Sequence, residues 1–213
     1  MDPAESDASA GSLRAHLHPL GDSGCVIRGE VLIPYGRRLF FAIAEPHRWR
    51  KEGGVWRVPF LGLGGHRPPG EEVRAGLPQA IQEETGLAVR LVDSPFSLYF
   101  GLDGEGRTLP LDPSLRPRPC YVWKSFRQLV ASFRAEPVDP SRPPAPGHKV
   151  RALIGLYASQ LLAMGDRGAD LQPLLADGAV LEGADLPRQT VAYPWGTPRY
   201  LGRYLETLAR RRE

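Results

Sequence analysis

The sequence predicts an α/β domain followed by a helical C-terminal extension, on three observations. Strand-like segments recur through the first two thirds of the chain. They flank a single glycine-rich turn that runs into a short helix, Gly65 to Leu87, GHRPPGEEVRAGLPQAIQEETGL. A proline-rich spacer, Pro137 to Gly147, then precedes a stretch whose apolar pattern turns helical. With 213 residues the chain is long enough for one substantial core with an added segment. Apolar content of 42% and charged content of 24% exclude a fibrous or wholly disordered chain.

The elements follow in order. The opening MDPAESDASAGSL is acidic and rich in small residues, with no basic region ahead of an apolar one, so it does not read as a secretory signal. Residues 1–20 are therefore expected to be a disordered leader. Gly24 to Pro34, GCVIRGEVLIP, partly alternates and is rich in β-branched residues, which predicts a strand. Tyr35, Gly36 and Arg37 form a turn into Arg38 to Ala44, RLFFAIA, a denser run suited to a strand buried on both faces. Glu45 to Gly54 is a polar, basic loop. Val55 to Leu63, VWRVPFLGL, is again strand-like and delivers the chain to Gly64 and Gly65.

Pro78 is tolerated in a helix's first turn but costs about 3 kcal/mol in its interior, so the helix is expected to start near Leu77 and to close at Gly86 in a left-handed conformation. Leu87 to Val92 and Pro95 to Gly101 predict two further strands. Asp103 to Pro119 is a long loop dense in glycine and proline, of the kind that often forms a lid. Cys120 to Phe126 and Gln128 to Ala135 are a β-rich pair. After the spacer, Ala152 to Met164 is read as helix with Gly165 as its stop. Leu201, Tyr204, Leu205 and Leu208 have the i, i+3, i+4, i+7 spacing of an amphipathic helix, with Arg210, Arg211 and Arg212 at its C-terminal end. The domain reading is thus 1–20 leader, 21–136 α/β domain, 137–148 linker and 149–213 helical extension packed on the domain.

On a helix from Pro78, Ala80, Glu83 and Glu84 share one face. Paired carboxylates beside a glycine turn suit a hard divalent cation that keeps part of its hydration while it holds phosphates. From charge alone, a solvated helix end with an ordinary Glu-Glu pair is the simpler reading. The register, however, resembles the Nudix hydrolases, whose box reads G-x5-E-x7-R-E-U-x-E-E-x-G-U with U aliphatic. Gly65, Glu71, Ile81, Glu83, Glu84, Gly86 and Leu87 fall in it without a gap, while Gln79 stands at the arginine and Ala80 at the first glutamate of the metal-binding face.

The resemblance covers the box closely and Gly24 to Ala135 loosely. It implies an α/β/α sandwich with a mixed sheet, a Mg2+ or Mn2+ site, and hydrolysis of a nucleoside diphosphate linked to another group. By position, Glu83 and Glu84 would be catalytic metal ligands, the Gly64 carbonyl a further ligand, and Glu71 a structural partner. With Ala80 in place of a carboxylate, a carboxylate outside the box could serve, and Asp103, Glu105 and Asp112 in the long loop are candidates. The rival is a Nudix fold without hydrolysis that binds a nucleotide or a protein.

Other signals are weaker. His16 and His18 lack a third ligand nearby. His66 could touch a phosphate. Trp49, Trp56, Tyr99 and Trp123 could stack on a nucleobase or simply fill the core. Two cysteines, Cys25 and Cys120, make no disulfide framework or metal spacing. A net charge of +3, carried almost wholly by arginine with only Lys51, Lys124 and Lys149 as lysines, favours a small anionic substrate over nucleic acid. No apolar run approaches the roughly 20 residues that cross a bilayer. The expected setting is cytoplasmic, without a membrane partner, and a homodimer is compatible with everything above.

Overall fold

The computed structural model describes residues 13–21, 25–66 and 72–210. Among the described residues fourteen strands join in one continuous mixed sheet with helices on both faces, which is the α/β/α sandwich expected. Strand β1 (Val26–Tyr35) turns at Gly36, where φ is +59°, into the antiparallel β2 (Arg38–Ile43). β3 (Arg50–Glu52) and β4 (Val55–Leu61) form a second hairpin, and β4 joins β2. β5 (Leu63–His66) crosses back antiparallel to β1, pairing Gly64 with Glu30. The two glycines thus stand in a strand rather than in a free turn. At Gly64, φ is +127° and an added Cβ would lie 2.7 Å from the Gly29 carbonyl, so no side chain fits.

A short helix α1 (Leu13–Leu17) precedes β1, and α2 (Leu77–Thr85) follows β5. Helix α2 begins as Pro78 dictates, with Gly76 at its N-cap, and ends at Gly86 with φ of +67°. β6 (Val89–Val92) pairs with β10 (Gln128–Pro137), and β7 (Ser97–Phe100) pairs with β8 (Gly106–Leu109) and with β9 (Tyr121–Lys124). The segment read as one long loop therefore contains a strand, β8. At the centre of the sheet β1 and β10 run parallel, Val26 opposite Gln128.

Alternation along these two strands sorts the core. Val31, Ile33, Leu129, Ala131 and Phe133 face α1 and α2, burying Leu13, Leu17, Leu77 and Ile81. Leu32 and Val130 face the other way. The expected disordered leader is corrected here: its residues 13–20 form α1 and a 3-10 turn, because Leu13 and Leu17, one helical turn apart, are both fully buried. Residues 1–12 lie outside the described residues.

The reading of residues 149–213 as a helical extension is also corrected. Ala152 to Met164 is not one helix: β11 (Ala152–Tyr157) pairs with β2 and leads into α3 (Ala158–Met164). β12 (Ala169–Asp170), α4 (Leu171–Ala176), β13 (Val180–Gly183) and β14 (Thr190–Pro194) follow, with β13 on β11, β12 on β14 and β14 parallel to β4. Gly155 marks why β11 is a strand: a Cβ there would meet Val180 at 2.7 Å and Phe40 at 2.8 Å on its neighbours. Helix α5 (Thr197–Arg210) is the last element among the described residues and forms as its spacing predicts, with Leu201 and Tyr204 buried against Phe100, Tyr121 and their neighbours.

Residues 138–151 do not act as a free linker. Gly147 N–H donates to the Glu84 carbonyl at 2.7 Å and Ala145 N–H to that of Thr85 at 3.1 Å, so this strap seats on the C-terminal end of α2 and satisfies carbonyls the helix leaves open. No helix among the described residues is long and apolar enough to cross a membrane.

Candidate functional site

Helix α2 presents Glu84 to the sheet, where the Gly64 N–H donates to its Oε2 at 2.8 Å. On the other side of Gly64, across the β1–β5 ladder, stands Glu30. Its Oε2 is buried and has no hydrogen-bond partner, and Gly62 leaves the room it occupies: a Cβ at Gly62 would land on that oxygen. The Thr197 hydroxyl hydrogen-bonds the Glu30 carboxylate. The same hydroxyl accepts from Trp123 Nε1 at 2.8 Å and lies 3.3 Å from the Ser132 hydroxyl, while the Thr197 carbonyl accepts from the Tyr121 hydroxyl at 3.0 Å. The start of α5 is thus tied to β9, β10 and the acid on β1.

Burial pushes the Glu30 carboxyl up to about 7, against the pull of Thr197 and Arg28. Burial likewise pushes Glu84 up to about 7, with the Glu30 charge adding to it and the Gly64 N–H opposing it. Two buried carboxylates whose charges oppose one another are costly to ionise together without a compensating charge. A proton on one of them or a hard cation offsets that cost. The orphaned Glu30 oxygen, the fixed Glu84 carboxylate and the backbone at Gly64 form an oxygen-donor set that fits Mg2+ or Mn2+.

Glu83 is used differently. Lys149, from the strap, lies 2.5 Å from its Oε2, and Gln79 donates to its Oε1 at 3.1 Å. The hydrogen bond from Lys149, and then that from Gln79, hold its carboxyl below the usual range. Gln79 therefore keeps a neutral version of the arginine contact that its position suggests. Glu84, Gly64 and Glu30 line a cavity of about 840 Å³, whereas Glu83 is not among its lining residues. Among the described residues no group of three or more His, Cys, Asp and Glu side chains has metal-site geometry.

The acids expected from the long loop are elsewhere. Asp103 pairs with Arg107 at 2.5 Å, and Asp112 accepts from the Ser114 backbone at 2.8 Å and hydroxyl at 2.7 Å. Glu105 lies 3.7 Å from Arg107. None of the three lines the cavity. Glu30 does line it, as do Glu45 and Glu84, and in sequence Glu30 looks like any polar residue of an alternating strand. Glu71 and the side chain of His66 lie outside the described residues, and His16 and His18 join no ligand cluster.

Of the aromatic candidates only Trp123 lines the cavity, stacked on Tyr200 with ring centres 4.9 Å apart. Trp49 packs edge-on against Trp56, and Tyr99 packs against the core on the α2 side. Trp195, Tyr200 and Phe126, which sequence reasoning passed over, also line it. Arg28, Arg48 and Lys149 supply positive charge to its wall.

No family model and no curated protein matches the chain. Among solved structures the chain is similar to a NUDIX-family hydrolase from Clostridium perfringens, at 15% identity over 64% of this chain and 83% of that one, with a TM-score of 0.42. It is also similar to a NUDIX hydrolase from Nitrosomonas europaea, at 14% identity over 63% of this chain and 58% of that one, TM-score 0.36. A third similar structure is a UDP-X diphosphatase, at 15% identity over 75% of this chain and 61% of that one, TM-score 0.36.

Proposed function

We infer that the chain is a divalent-cation-dependent hydrolase that cleaves the diphosphate of a small nucleoside diphosphate derivative. The observation that carries this reading is the pair formed by Glu30 and Glu84 around Gly64, with one buried carboxylate oxygen left without a partner. Burying two acids this way is unfavourable unless a cation or proton joins them. Glu30 restores from β1 the carboxylate that Ala80 does not supply from α2.

In this reading Glu30, Glu84 and the Gly64 carbonyl hold Mg2+ or Mn2+, and Glu83 acts from beside them. A bound divalent ion there supplies charge neutralisation to the diphosphate and acidifies water. Arg28 and Arg48 hold phosphate oxygens, Arg as a fork of donors. Lys149 keeps Glu83 fixed at the cavity's edge. Glu84 is held in one orientation by the Gly64 N–H, as a group that positions or deprotonates water must be.

One observation favours a second reading, a binding module without turnover: both oxygens of Glu83 are already engaged by Lys149 and Gln79. Phosphate release from a panel of nucleoside diphosphate derivatives with Mg2+ or Mn2+ separates the two, run beside Glu84→Gln and Glu30→Gln. The hydrolase predicts turnover that falls at least about 100-fold in either variant. Turnover no higher in the native chain than in the variants removes the hydrolase reading. Calorimetric titration with Mn2+ alone, on the same three proteins, reads the cation site independently of activity.

A further inference from the structure

The cavity that the acids line also contains a tryptophan whose backbone is fixed and whose ring is left open. Trp195 follows β14, whose last residue, Pro194, pairs in parallel with Phe60. Its N–H donates to the Phe60 carbonyl at 3.0 Å. The next residue, Gly196, has φ of +69°, which favours glycine, and a Cβ there would be in ordinary contact with the Trp123 ring at 3.4 Å. Thr197 then starts α5 from its anchorage beneath Glu30. Every neighbour of Trp195 along the chain is therefore held, yet its side chain leaves the residue 48% exposed.

An indole is the largest apolar side chain, and leaving it open to water forfeits burial that the fold could have taken. The arginine beside it does not cover it: the Arg48 guanidinium lies 5.6 Å from the ring centre, which polarises the ring's environment without enclosing it. Phe126, at the turn between β9 and β10, is 80% exposed and lines the same cavity. One cavity thus combines a cation-fitting acid pair, arginines, and open aromatic surface.

We propose that Trp195 is the stacking platform for the nucleobase of the substrate, so that the C-terminal segment, through β14 and the start of α5, selects a nucleoside diphosphate over a ring-free diphosphate. This rests on the hydrolase reading above and adds to it the part of the substrate that is not cleaved. Stacking is tolerant of base identity because each base offers a flat π face, so adenine and uracil compounds both gain from the ring. Arg48 strengthens the platform by fixing the indole and by meeting the phosphate that follows the sugar.

The test uses the full chain with Mg2+ and two uncleavable probes, α,β-methylene-ADP and methylenediphosphonate, which carry the same bridged diphosphate with and without a nucleoside. Calorimetry is expected to show the nucleoside compound binding more tightly. Trp195→Ala is expected to weaken that compound about 5- to 100-fold while leaving methylenediphosphonate unchanged. Trp195→Phe, which keeps a flat ring, restores most of the difference. Thermal unfolding of each variant shows whether the fold is intact, and the methylenediphosphonate affinity is an internal control for the acid end of the cavity. Equal binding of the nucleoside compound by native and Trp195→Ala chains overturns the platform and leaves the diphosphate reading standing. If neither probe binds the native chain, the diphosphate reading falls and the platform with it.

Discussion

Replacing Glu30 by glutamine should make the cation-free protein more stable at alkaline pH. The folded chain holds the Glu30 proton up to about 7, while an ordinary carboxyl releases it near 4.5. Ionisation therefore costs the folded state stability progressively as pH rises from 4.5 through 7, and the whole penalty applies above that range. A displacement of that size corresponds to roughly 3 kcal/mol. Glutamine keeps the shape and an acceptor for the Thr197 hydroxyl without carrying charge.

For a chain of this length the gain corresponds to a rise in melting temperature of about 6–12 °C at pH 8.5 in EDTA, and to almost nothing at pH 4. Mg2+ should reverse the order, because it stabilises only the chain that binds it. Scanning calorimetry or urea titration at the two pH values, with and without Mg2+, reads both effects. A Glu30→Gln chain no more stable than the native one at pH 8.5 in EDTA would refute the claim that this carboxylate is kept at a cost for a cation.

Two further outcomes follow from the packing around the acids. Thr197→Val removes the hydroxyl shared by Glu30, Trp123 and Ser132 and should cost about 2–4 kcal/mol, with Thr197→Ser recovering most of it; urea unfolding of the pair checks this, and an unchanged midpoint for valine would remove Thr197 from the network. Gly147→Ala drives a methyl onto the Glu83 carbonyl and should lift the strap from α2, costing about 1–3 kcal/mol and speeding amide exchange at position 147, whose N–H no longer meets the Glu84 carbonyl. Hydrogen exchange followed by mass spectrometry reads the second effect directly.

The parts of this protein governed by local rules were legible in its sequence. Pro78 set the start of α2 and Gly86 its end, because the missing amide hydrogen and the left-handed φ are properties of single residues. The β1–β2 hairpin was readable for the same reason, from a glycine between two apolar runs. Ala152 to Met164 was not, since a short apolar run looks alike as a buried strand or helix, and the deciding contacts of Gly155 are with Phe40 and Val180 on other strands. Glu30 was hidden more deeply. Its role depends on a glycine at 62 that leaves space, a cross-strand neighbour at Gly64 and a hydroxyl at Thr197, none of them near it in the chain. Trp195 escaped notice because openness to water is a property of the fold, not of the residue.

The span between Glu30 and Thr197 bears on the order in which the molecule is made. A ribosome delivers β1 and α2 long before α5, so a nascent chain carries both acids while the hydroxyl that steadies one of them, and the tryptophan on the cavity wall, are still unsynthesised. Until α5 docks, Glu30 lacks the Thr197 side chain that lies against it. On the hydrolase reading, competence for a cation and a planar ring would depend on α5 being docked, which would make ligand binding during translation a readout of that docking.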